Sequence, residues 1–106
     1  MGYAELIYKA LEELHKATYS KRIKKHNEKD IMLLREKIEK AKELIDKCMR
    51  DPYIKKAVDK DGYFRPLLSC VDTDDGFVWE LIHYAIFNAG LEKIKKFNPK
   101  LNPKRS

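Results

Sequence analysis

Residues 30–52, DIMLLREKIEKAKELIDKCMRDP, decide the fold. Ile31, Leu34, Ile38, Ala41, Ile45 and Cys48 recur at alternating intervals of three and four, which is the period of one face of an α-helix. Leu33, Leu44 and Met49 widen that face. The heptad-like seam Leu34, Ile38, Ala41 and Ile45 predicts a core face or a helix–helix interface. Glu36, Lys40, Lys42 and Asp46 mark the solvated side. Asp30 suits the N-cap, with Asn27 the alternative. Asp51-Pro52 ends the helix, because proline lacks an N–H and disfavours helix at the residue before it.

Upstream, Tyr3, Ile7, Ala10, Leu14 and Ala17 form a second stripe flanked by Leu6 and Leu11, so a helix starts near Gly2 or Tyr3 and fades after Thr18. Tyr19 to Lys29 is basic, with Ile23 its one aliphatic residue, and either extends that helix or makes the turn. Downstream, Pro52 fits the first turn of a short helix near 52–59, capped by Asp51. Lys60-Asp61-Gly62 is a turn, and Tyr63 to Val71 is either an extended arm or a helical turn from Pro66. Asp72 or Thr73 caps a last long helix, with acids at its positive end. Phe77 to Leu91 is apolar around most of its circumference, apart from Glu80, His83, Tyr84 and Asn88. Such a helix belongs at the centre, packed on several sides. The expectation is an all-α bundle of three long helices plus the short one, which dimerisation could complete. Residues 1–97 form its single domain, and 98–106 a basic flexible tail.

At 106 residues the chain holds one modest core. It is 43% hydrophobic and 38% charged, too apolar for disorder, and its four Gly and four Pro leave room for few turns. Glutamine is absent and Lys far outnumbers Arg, a composition that fits a thermophile or an AT-rich genome. Glu5, Glu12 and Glu13 are foreign to a secretory leader, and the 15-residue apolar window 77–91 falls short of a span of about 20. A soluble, cytoplasmic protein is expected. Cys48 and Cys70 suit two buried free thiols, with a disulfide between them the alternative.

Catalytic signatures are missing. Asp72, Asp74, Asp75 and Gly76 resemble the start of a calcium loop, but from Asp72 the glycine falls at loop position 5 and His83 at 12, where Gly 6 and Glu 12 are required. Glu80 and His83 suit a hydrogen-bonded pair on one face better than a metal site, since His15 and His26 lie on other segments. No serine elbow, base-paired cysteine or glycine-rich phosphate loop is present. No enzyme, cofactor, metal or small-molecule substrate is expected.

Charge is the remaining signal. Residues 16–29 carry six Lys/Arg against one Glu, residues 81–106 carry six against Glu92, and residues 51–80 carry four against seven acids. If the last helix runs in the direction of the first, both basic blocks meet at one end, with Asp72–Asp75 at the other. Lys21, Arg22, Lys24, Lys25, Lys95, Lys96, Lys100, Lys104 and Arg105 would then contact phosphates without base specificity, and Tyr19 and Phe97 could stack on bases. A solubilising surface explains the same lysines. The expected function is a non-catalytic basic module that binds nucleic acid non-specifically. The alternative is a protein-interaction or adaptor subunit, a homodimer or part of a larger assembly, of viral or mobile-element type.

Overall fold

The computed structural model describes residues 2–20 and 28–97. Among the described residues, all regular structure is helical: α1 (Tyr3–Ala17), α2 (Glu28–Met49), α3 (Pro52–Asp61), α4 (Arg65–Cys70) and α5 (Gly76–Phe97). The all-α expectation is met, with two short helices where one was expected. Tyr63 to Val71 is no extended arm, because Pro66 occupies the first turn of α4 and its fixed φ favours that position. Helix α2 begins at Glu28, so Asp30 lies inside its first turn and does not cap it, while Asn27 lies outside the described residues.

The other ends follow from local chemistry. Asp51 accepts from the Tyr53 N–H at 2.9 Å and caps α3. Gly62, at φ +64°, ends α3 in the left-handed region that glycine tolerates best, and a Cβ there would meet the Tyr3 ring at 2.9 Å. The cap of α5 is Asp75, whose Oδ1 accepts from the Phe77 and Val78 amides at 3.0 and 3.3 Å. Thr73 serves one step earlier, its hydroxyl accepting from Asp75 N at 3.1 Å. Both expected caps were therefore upstream of the residue that does the capping.

Cross-contacts fix the directions. Glu12 with Lys42, His15 with Glu39 at 3.9 Å, and Thr18 with Arg35 at 3.0 Å run α1 and α2 antiparallel. Asp75 pairs with Lys37, and Lys93 lies 5.1 Å from the Tyr3 ring centre, so α5 starts beside the upper half of α2 and ends beside the start of α1. Helix α5 is therefore antiparallel to α1. The topology that would gather both basic blocks at one end does not occur.

A covalent tie explains that course. Cys48 and Cys70 are joined in a disulfide with Cα atoms 5.9 Å apart, which replaces the expected free thiols and pins the end of α4 to the foot of α2. From Cys48 up to Lys37 is eleven helical residues, about 16 Å. Residues 71–75 form no regular structure, and five extended residues reach about that far. Asp72 to Asp75 line a shallow groove with Lys40, as a strip climbing α2 must.

Ile7, Leu11, Ile38, Ile45, Val58, Leu67, Val78 and Ile82 are completely buried and join all five helices in one core. Of the α2 seam, Ile38, Ala41 and Ile45 are buried in this core, while Leu34 is half-buried against it. The core thus consumes the seam within one chain.

Candidate interaction surface

Helix α5 has two apolar faces. Val78, Ile82, Ala85 and Ala89 are completely buried, and Leu81 nearly so. At 100° per residue these share one side of the helix, against α1 and α2. Away from that side Tyr84, Phe87, Leu91 and Ile94 follow one another at intervals of three, four and three, the spacing of a continuous stripe whose Tyr84 edge borders α1 at Lys9 and Glu13. They remain 45, 66, 37 and 49% exposed, and Phe77 extends the stripe near the N-terminus at 47%.

The expectation that this helix is packed on several sides is therefore corrected: one side is covered and the other open. Helix α5 packs chiefly on α1 and α2 through its inner face, while α3 and α4 pack chiefly on α1, α2 and each other, and Phe87 and Ile94 stay exposed. Gly90 does not end α5, and a Cβ there would meet nothing within 4 Å, so the backbone is approachable on that flank. The polar neighbours are few. Glu80 and His83 precede the stripe, Asn88 Nδ2 donates back to Tyr84 O at 2.8 Å, and Lys95 lies 3.8 Å from Glu92. His83 does not pair with Glu80 as expected; its Nδ1 lies 2.9 Å from Trp79 O, and its ring meets the Trp79 indole edge-on at 4.7 Å.

A second apolar opening lies where α5 begins. Asp30, Leu33, Leu34, Lys37, Asp75 and Phe77 line a groove of about 430 Å³. Leu33 and Phe77 are its exposed walls. The Lys37 ammonium, hydrogen-bonded to Asp75, holds that carboxyl below the usual range against the opposing effect of desolvation, and the Val78 and Phe77 amides assist. Such a pair orders the α5 cap.

Of the residues singled out for nucleic acid, only Lys95 and Lys96 are among the described residues. Lys21, Arg22, Lys24, Lys25, Lys100, Lys104 and Arg105 lie outside the described residues. Lys95 and Lys96 are on the last turns of α5, beside the start of α1, whereas Lys16 is on the last turn of α1 at the other end. The acidic 72–75 strip meets α2 at Lys37 and Lys40, towards the end from which the first basic block departs. The Tyr19 ring already holds the Arg35 guanidinium, 3.8 Å from its centre, with the His15 ring edge-on at 5.5 Å. Phe97 is the last residue of α5.

Among the described residues, no three His, Cys, Asp or Glu side chains gather as a metal would need. No described helix is long and apolar enough to cross a membrane. No protein-family model matches the chain, and neither does any curated protein or solved structure. The stripe itself was legible as apolar residues at helical spacing, but only the packing of α5 reveals that, among the described residues, this side stays exposed.

Proposed function

We propose that the protein is a non-catalytic protein-interaction module whose working surface is the outer face of α5. The observation that carries this reading is the stripe Tyr84, Phe87, Leu91 and Ile94, large apolar side chains in register on the side of a central helix that faces away from the core. Scattered apolar residues on a surface are ordinary; a contiguous, aromatic-rich row is the composition of interface cores. Contact with nucleic acid keeps only the Lys/Arg blocks of the composition in its favour, since the shared pole on which that expectation rested depends on a helix direction the fold does not have.

The test is site-specific. A photo-crosslinking phenylalanine analogue is placed at position 87, and in a second protein at position 40 as a control. Irradiation with partner-containing extract, or of the pure chain, should give one discrete adduct from position 87 only. Excess wild-type chain should compete it away, and excess Phe87→Glu chain should not. Adducts from both positions, or equal competition by both chains, would overturn the proposal. An oligonucleotide titration at about 50 mM salt runs beside it, where steeply salt-dependent binding would restore the nucleic-acid reading.

A further inference from the structure

Resting on the interaction reading above, we infer that the partner of the α5 outer face is a second copy of this chain, paired with it antiparallel across a two-fold axis near Phe87. Residues 98–106, which follow α5 directly, offer Leu101 as their only large apolar side chain, and residues 21–27 offer only Ile23. Four large apolar residues need an equal face opposite, and the same face on another copy supplies one.

The area is sufficient. Phe87 and Tyr84 together leave roughly 200–250 Å² of aromatic side chain in water. With Leu91, Ile94 and Phe77 the patch reaches about 500 Å², near the upper end of what a monomer carries. Two such faces remove about 1,000 Å² of apolar surface. Their polar rim of Glu80, His83, Asn88 and Lys95 brings the total into the 1,200–2,000 Å² range of stable interfaces.

One register satisfies both packing and charge. In an antiparallel pair, residues whose numbers have the same sum face one another. Centring the axis between Phe87 and Asn88, where the paired numbers sum to 175, sets Tyr84 against Leu91 of the second copy, places the two Phe87 rings on either side of the axis, and sets Glu80 against Lys95. Both acid–base contacts are generated by the symmetry, as a two-fold, self-complementary interface requires. A parallel pair would oppose Glu80 to Glu80 and Lys95 to Lys95. Gly90, with open space where its Cβ would be, lets the second helix approach closely beside Phe87.

The chain's mass by sedimentation, with protein raised from about 10 to about 500 μM, tests this. The expected result is a concentration-dependent rise from 12.5 kDa towards twice that value, abolished by Phe87→Glu with helicity by circular dichroism unchanged. Glu80→Lys and Lys95→Glu should each weaken the dimer several-fold, and the double exchange should restore it. Because Cys48 and Cys70 are already joined, single new cysteines report orientation: mixed Tyr84→Cys and Leu91→Cys chains should cross-link to each other faster than to themselves. A mass fixed at that of one chain, a dimer indifferent to Phe87→Glu, or faster homotypic cross-links would each overturn the inference. If the mass stays at one chain while the position-87 adduct still forms and competes as described, the interaction reading survives and the second copy is excluded as its partner.

Discussion

Arg35 Nε donates to the hydroxyl of Thr18 at 3.0 Å, and Thr18 is completely buried. The same hydroxyl donates to His15 O at 2.6 Å, while Arg35 also donates to the Thr18 carbonyl at 3.2 Å and lies over the Tyr19 ring. This cluster ties the last turn of α1 to α2. Thr18→Val preserves the shape but leaves Arg35 Nε and the His15 carbonyl each short of a partner. A loss of about 1–3 kcal/mol is expected in urea denaturation, with the slope of the transition unchanged.

The Cys48–Cys70 disulfide closes a loop of 22 residues in sequence separation that contains α3 and most of α4. Tethering the unfolded chain over such a loop is worth roughly 3 kcal/mol. Reduction, or a Cys70→Ser exchange, should lower the unfolding temperature by several degrees. Amide exchange should accelerate first in α4 and in residues 71–75, because loss of the bond leaves this short segment held chiefly by Leu67 and Val71 in the core and by the Lys37–Asp75 pair.

Acid should weaken the same region. Hydrogen bonding to Lys37 holds the Asp75 carboxyl below its ordinary 3.8, and Lys42 does the same for Glu12 relative to 4.5. A carboxyl depressed in the folded state contributes stability that is fully present above its unfolded value and is lost as pH falls through the folded one. Unfolding free energy should therefore be flat from neutral pH down to about 5 and decline below about 4. Asp75→Asn and Glu12→Gln should each flatten that decline, and a profile unchanged in both variants would refute the assignment. At the alkaline side, Lys42 is raised by its bond to Glu12, so its contribution persists below 10.5 and fades only as pH climbs through the higher folded value.

Much of this architecture was legible because it is local. The alternation through Ile31–Cys48 predicts α2, and Asp51-Pro52 its end, since spacing and proline sterics need no tertiary context. Helix directions are not local. The 13 residues from Lys60 to Asp72 could reach either end of the bundle, and only the disulfide at Cys70 decides which way residues 71–75 run. The apolar girth of α5 signalled packing on several sides, but the sequence alone cannot distinguish burial in the chain's own core from exposure, so Phe87 and Ile94 are visible as an exposed apolar face only once the core is seen to end at Ala85 and Ala89. The direction of α5, on which the meeting of the two basic blocks at one end was argued, is non-local in the same way.

Helix α1 lacks a capping side chain of its own, since its N-cap is Gly2. The cap comes from 55 residues away: Asp59 Oδ1 on α3 accepts from the Ala4 N–H at 2.9 Å. Glycine fits next to it without displacing that carboxylate, because a Cβ at position 2 would come within 2.8 Å of the oxygen. Asp59→Ala removes a carboxylate from the positive end of α1 and leaves its first amides to water, so a loss of about 1 kcal/mol is expected. Asp59→Asn keeps an acceptor oxygen without the charge and should recover more than half of that loss. Gly2→Ala should cost a similar amount in the wild-type background and little in the Asp59→Ala background, where the clashing oxygen is gone. A double-mutant cycle in urea measures that coupling, and additive losses would show that the α3–α1 cap is not formed in solution.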